Sequence, residues 1–234
     1  MANIKYLFFD CMETIVDLYD LPQENDYALW AFKDSGVEHF WKGFSDFLNS
    51  HEKVKNEISY TLEPHQEYDL IRRFELLVQK NKAISIEKQI EVVNKLHANY
   101  WKTYQSKCFV KSEVRNVLKE LSKKYELAVV SNFKVNGGIE QLLQNNELGN
   151  VFKFVVTSIN VGWRKPHRRI YEHATNLAGC SSSEILFIGD DYENDYKTPQ
   201  RMGYKTIYLD KNGAKRSGIE SVSNFYELQA VLKE

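Results

Sequence analysis

One strand-like run, Ile4–Phe9, opens the chain, and the stretch 17–108 separates it from the next such run. Residues 17–108 hold only Gly36 and Gly43, whereas the other nine glycines fall in residues 109–234. Within 17–108 the segments Glu24–Lys33, His39–Asn49, Tyr68–Asn81 and Glu87–Tyr104 repeat apolar residues at helical spacing, as Leu70, Phe74, Leu77 and Val78 do. Pro22 and Pro64 stand where helices would open. Beyond 109 the pattern alternates. Apolar runs at Leu127–Val130, Phe152–Thr157, Ile185–Ile188 and Thr206–Leu209 are separated by helical patterns at Glu113–Lys124, Gly138–Asn145, Arg168–Leu177 and Asn194–Met202. Ser112 and Ser223 are candidate N-caps. Such alternation predicts a parallel sheet covered on both faces. The lone first strand then belongs to the same sheet, so the expected architecture is an α/β core from residues 1–16 and 109–234, interrupted by a helical insertion at 17–108.

Composition excludes several classes. Thirty-one basic against thirty-two acidic residues leave a net charge of −1, which gives no field for general nucleic-acid or anionic-membrane binding. No apolar run approaches the roughly 18 residues of a membrane helix, and the start has no cleavage-site pattern. Cys11, Cys108 and Cys180 are scattered without a CxxC pair. That argues against a disulfide framework or zinc site and leads us to expect a reducing, cytoplasmic setting.

In open parallel sheets, ligands bind beyond the carboxyl ends of the strands. The residues at those ends are Asp10–Thr14 after the first strand, Ser131–Asn132 after the second and Thr157–Ser158 after the third, with Lys165–Pro166 close behind. Gly189–Asp195 follows the fourth. Taken singly these are ordinary: an Asp in a turn, a Ser–Asn loop, a solvated Lys, an acidic helix start. Taken together, in this order, they can hold a divalent cation between carboxylates and a phosphate between a lysine and a hydroxyl.

This set resembles the four motifs of the haloacid dehalogenase-like hydrolases, and the resemblance spans the whole chain. It implies a Rossmann-like core and identifies the helical insertion with the cap of the dehalogenase and phosphoglycolate phosphatase branch. The roles it implies are these. Asp10 is the nucleophile and a metal ligand. Ser131 hydrogen-bonds the transferring group, Lys165 neutralises it, and Asn132 helps to position substrate. Asp10, Asp190, Asp195 and the Met12 carbonyl hold Mg²⁺, and Thr14 supports the first loop. The implied activity is a Mg²⁺-dependent phosphatase acting on a small phosphorylated metabolite through an aspartyl-phosphate.

The chain departs from that pattern at Met12. Family phosphatases carry there a second Asp that protonates the leaving group, and a thioether transfers no proton. Glu13 replaces the usual glycine and is not expected to substitute. Two other readings therefore stay open: a metal-independent 2-haloacid dehalogenase, and a non-catalytic binding protein on the same fold. Dehalogenases place an Arg in the cap about 30 residues after the nucleophile, where this chain has Phe40, Trp41 and Lys42. The arginines of the insertion are Arg72 and Arg73, expected to snorkel from a helix surface. Trp30, Trp41 and Trp101 are expected to pack the interior of the insertion. His39, His51, His65 and His97 show no ligand spacing. Trp163 either shapes the cleft floor or covers the sheet edge, and Cys11 either packs or exposes an oxidisable thiol beside Asp10.

Overall fold

The structure is a computed structural model that describes residues 3–211, 213 and 218–233. In chain order the elements are β1 (Tyr6–Phe9), β2 (Asp17–Leu18), α1 (Asp26–Phe32), α2 (Phe44–Tyr60), α3 (Leu70–Lys80), α4 (Ile86–Lys107), β3 (Cys108–Phe109), α5 (Ser112–Leu121), β4 (Glu126–Ser131), α6 (Gly138–Asn145), β5 (Phe154–Thr157), α7 (Ser158–Val161), α8 (Arg168–Ala178), β6 (Ile185–Gly189), α9 (Thr198–Arg201), β7 (Lys205–Leu209), β8 (Ser221–Val222) and α10 (Phe225–Val231). Two compact units result: Met1–Asp17 with Phe109–Glu234, and Leu18–Cys108.

The first unit is the expected α/β core. Its six strands run in the order β5-β4-β1-β6-β7-β8, and every pairing is parallel. The chain builds outward from β1 to one side and later to the other, so the topological switch lies at β1. Register pairs Phe9 with both Val129 and Ile188. Asp10, Ser131 and Asp190 therefore emerge at one end of three adjacent strands. Leu7, Phe8 and Phe9 are all 0 % exposed, as expected for a central strand covered on both faces. On one face Phe8 packs with Phe187, Tyr171 and Tyr204. Asp17 falls on the core side because Lys211 and Lys111 hold its carboxylate at 2.5 and 3.2 Å.

Several local expectations shift. The first strand starts at Tyr6. Neither proline opens a helix: Pro22 precedes α1 by four residues, and Pro64 lies in the turn between α2 and α3. The segment His39–Asn49 is broken at Gly43, whose φ of 145° suits glycine. A 3₁₀ turn at Glu38–Phe40 precedes the break and α2 follows it. Ser112 is the first residue of α5, behind Lys111 at the cap position. Asn224 caps α10 in place of Ser223, its Oδ1 accepting the Glu227 N–H at 2.9 Å. In place of the helix Asn194–Met202 stand a π-helical turn, Tyr192–Lys197, and the short α9.

The helical unit packs α1 and α3 against α4, and α2 against α3. Trp30 and Trp41 are buried in it, with Phe47 and Phe74 at its centre. Trp101 stacks on Tyr104 at 5.7 Å. Arg72 is exposed, but Arg73 is buried, contrary to the snorkelling expected of it. Arg73 lies three residues from Leu70 and four from Leu77, on the apolar face. There its guanidinium donates to the Tyr68 hydroxyl and meets His51 Nε2 at 3.4 Å. His51 Nδ1 faces Glu52 Oε1 at 3.3 Å. A neutral ring with Nε2 accepting and Nδ1–H donating satisfies both contacts. Burial first, and then the Arg73 charge, lower the His51 pKa from 6.5 to about 4.

Unfolding frees an imidazole that takes up a proton below about 6.5, whereas folded His51 resists protonation down to about 4. Its contribution is therefore fully present above pH 6.5 and is lost as pH falls toward 4. Thermal melts of wild type and His51→Gln between pH 7 and 4.5 check this. The wild type should lose more melting temperature across that window, because the variant lacks the titrating group.

Candidate active site

Every charged group of the site leaves the carboxyl end of a sheet strand or the loop just behind one. Asp10 follows β1, and its N–H continues the ladder to the Ile188 carbonyl at 2.9 Å. The chain then turns sharply: the Cys11 carbonyl accepts the N–H groups of Thr14, Ile15 and Val16. Glu13 holds a left-handed φ of 57° in this turn. The turn brings the Thr14 hydroxyl to Asp190, donating to Oδ1 at 2.6 Å. Cys11 is 0 % exposed and packs in the core, which removes the oxidisable-thiol reading. The Met12 side chain is half-buried.

Lys165 is the hub. Only 3 % of it is exposed. Its Nζ donates to Asp10 Oδ1 at 2.7 Å and to Asp195 Oδ1 at 2.6 Å, and lies 5.5 Å from the centre of the Phe187 ring. Burial alone lowers a lysine pKa, but here the two carboxylates outweigh it and raise the pKa, so the ammonium stays charged.

The backbone of Lys165 is clamped from the end of β4. Asn132 Oδ1 accepts the Lys165 N–H at 2.6 Å, and Asn132 Nδ2 donates to the Lys165 carbonyl at 3.0 Å. The amide of Asn132 is thus engaged by the lysine loop. Ser131, 1 % exposed, closes β4 just before it. Ser158 holds the next residue, its hydroxyl accepting from the Phe133 N–H at 2.9 Å and donating to the Phe133 carbonyl at 3.2 Å. Trp163 stacks on His167 at 4.1 Å, and the Arg169 guanidinium lies over the Trp163 ring, 4.6 Å from its centre.

The acidic loop explains the π turn. Asp191 Oδ1 accepts the N–H groups of Glu193 and Asn194 at 3.0 and 2.9 Å. The wider turn carries Asp195 back over Gly189. A Cβ on Gly189 would lie 2.3 Å from Asp195 Oδ2, so this glycine is needed for close approach rather than for its φ. Asp195 Oδ2 accepts the Asp191 N–H at 3.1 Å. Tyr171 on α8 donates to the Asn194 carbonyl at 2.5 Å and so ties the loop down. π-Helical turns occur often at functional sites.

Asp10, Asp190 and Asp195 each offer a carboxylate oxygen, and these oxygens all lie within 4.8 Å of one another. Burial, followed by the Asp10 charge, raises the Asp190 pKa from 3.8 to about 6. Burial also raises that of Asp195, against the pull of Lys165. Hard, crowded carboxylate oxygens suit Mg²⁺.

The structure therefore brings Asp10, Lys165, Asp190 and Asp195 into direct or near contact, and sets Ser131 and Asn132 at the same end of the sheet. The strand-end reading reached Ser158 without giving it a role, and it left out the tie that Tyr171 makes to the acidic loop. A serine opening a helix directly after a strand, and a tyrosine on the buried face of α8, were the available signals.

Residues 40–209 match the family model described as haloacid dehalogenase-like hydrolase. The chain is 41% identical over 84 residues to haloacid dehalogenase-like hydrolase domain-containing protein 3 of Bos taurus, across 36% of this chain and 33% of that one. The matched region is thus about a third of that relative's length. The chain is 24% identical over 212 residues to 5-amino-6-(5-phospho-D-ribitylamino)uracil phosphatase YigB of Escherichia coli, covering 89% of this chain and 84% of that one. Among solved structures, a 2-haloacid dehalogenase from Pseudomonas syringae superposes with a TM-score of 0.74 at 18% identity, covering 98% of each chain. A HAD phosphatase from Thermococcus onnurineus gives 0.67 at 18% identity, also over 98% of each. At those identities the likeness is one of fold.

Removing the hub tests the charge arrangement. Lys165→Met leaves Asp195 buried without a cation. In chelator, at neutral pH, chemical denaturation should show a loss of about 3–5 kcal/mol, the cost of breaking a buried ion pair.

Proposed function

Since the chain belongs to the haloacid dehalogenase-like hydrolases, we propose that it is a Mg²⁺-dependent phosphatase acting on a small phosphorylated metabolite. The observation that carries this reading is the trio Asp10, Asp190 and Asp195 around a buried Lys165 that bonds two of them. Relatives named as phosphatases of small phosphate esters support it, among them a glyceraldehyde 3-phosphate phosphatase from Methanothermobacter thermautotrophicus, 29% identical over 119 residues. In this reading the helical unit Leu18–Cys108 is the cap that selects the substrate.

Asp10, Asp190, Asp195 and the Met12 carbonyl would hold the cation, which when bound would neutralise charge on the phosphoryl oxygens. An oxygen of Asp10 forms the new bond to phosphorus, and the ester oxygen departs with its electron pair. Lys165 and Ser131 stabilise the oxygens of the transferring group. Water then attacks phosphorus, releasing inorganic phosphate and restoring the carboxylate. Lys165 also holds Asp10 in place, and Asn132 positions Lys165. Met12 supplies no proton to the departing oxygen, so substrates whose leaving groups need none are favoured. The dehalogenase alternative would leave the three crowded carboxylates with the single ammonium of Lys165 to balance them, which counts against it.

Three assays decide. Asp10→Asn should abolish Mg²⁺-dependent hydrolysis of p-nitrophenyl phosphate. Wild type should turn over p-nitrophenyl and acyl phosphates far better than alkyl phosphates. Met12→Asp should raise the alkyl rate by roughly 10²–10⁴-fold. Halide release from 2-chloropropionate without metal would replace this reading with the dehalogenase one. A folded Met12→Asp that gains nothing on any ester would remove the missing-acid account.

A further inference from the structure

A second chemically distinct feature lies in the helical unit. One face of α2, the last turn of α3 and the turns at 39–42 and 81–83 line a groove of 770 Å³, a volume suited to a small molecule. All its lining residues fall between 39 and 83, so the groove belongs to that unit alone. One wall is aromatic: half-buried Phe40, which meets the largely buried Trp41 edge-on at 6.4 Å and the exposed His39 ring at 4.2 Å.

The rest of the lining is cationic. Lys42, Lys53, Lys80 and Lys82 line it, against Asp46 and Glu57, so its side chains sum to 4 − 2 = +2. The chain as a whole carries −1. Both acids are already engaged. Glu57 Oε2 accepts from Lys80 Nζ at 2.6 Å, and Asp46 Oδ2 accepts the backbone N–H of Lys42 at 3.1 Å. Among the described residues, the ammonium groups of Lys42, Lys53 and Lys82 have no carboxylate partner. Lone exposed lysines are ordinary. Three around one concavity with an aromatic wall form a pattern that an anion with a flat apolar body would complement.

We propose that this groove binds a nucleoside diphosphate or triphosphate. The base lies against the aromatic wall that Phe40 presents, since every base offers a face for aromatic contact. The phosphate oxygens take the three unengaged ammonium groups, which act as compact point charges. A diphosphate matches the number of those charges. The site shares no residue with Asp10, Lys165, Asp190 and Asp195, so it stands whether or not the phosphatase reading does.

The test is a calorimetric titration of the 234-residue chain carrying Asp10→Asn with ADP in chelator, so that nothing is hydrolysed. ADP should bind at a single site, more weakly as salt rises. The triple reversal Lys42→Glu, Lys53→Glu, Lys82→Glu should weaken it by roughly tenfold or more. Because the three side chains are exposed, the variant should melt like its parent, and the melt is measured alongside. Trp41→Phe should change the ADP-dependent fluorescence while leaving that of inorganic phosphate binding unaltered. Absence of ADP binding overturns the proposal. So does ADP binding that the charge reversal leaves unchanged, because the nucleotide then sits elsewhere. Binding of polyglutamate without binding of ADP also overturns it and makes the groove a docking face for an acidic protein segment.

Discussion

The ammonium of Lys165, sealed from solvent between Asp10 and Asp195, is the interaction on which the carboxyl end of the sheet depends. Taking a charge of that size out of water costs several kcal/mol, and only close, well-aligned counter-charges offset it. The surrounding chain is arranged to provide that alignment. Asn132 fixes the backbone of the lysine through both of its amide atoms. Gly189 leaves room for the Asp195 carboxylate, the π turn delivers it, and Tyr171 anchors the loop. Each support comes from a different element, so the position of one ammonium reports on the packing of most of the core.

The same cluster is electrically incomplete. Three carboxylates against one ammonium give −3 + 1 = −2 when all are ionised. The raised pKa values of Asp190 and Asp195 express that excess, with burial as the larger cause. A divalent cation among the three oxygens would balance the charge and let all three ionise. Thr14 already orients Asp190 toward such a role by donating to one of its oxygens and leaving the other available.

Much of this was legible in the chain. Buried parallel strands are continuous apolar runs, so their ends are visible, and with them Asp10, Ser131 and Asp190. The identity of Lys165 followed from its place behind β5. What the sequence concealed was how the loops fold back. A π turn has no simple periodicity, so Asn194–Met202 read as a plain helix. The paired hydrogen bonds between Asn132 and Lys165 join residues thirty-three apart and leave no local trace. Arg73 was legible in principle, because it continues the stripe of Leu70, Phe74 and Leu77. His51 likewise continues the stripe of Phe47, Val54 and Ile58. Expectation about charged residue types overrode the periodicity at Arg73. The cap of α10 slipped from Ser223 to Asn224 because neighbouring polar residues compete for that role, whereas α5 starts one residue early, with Lys111 at the cap position and no side-chain bond.

The account rests on the acidic trio being a cation site held open by Lys165. Calorimetric titration of Mg²⁺ into wild type and Asp190→Asn tests it most directly, with a melt of each in the presence and absence of the ion. The account predicts one Mg²⁺ per wild-type chain, a raised melting temperature on binding, and loss of both in the variant. A wild type whose melt ignores Mg²⁺, or an Asp190→Asn that binds it unaltered, would contradict the account.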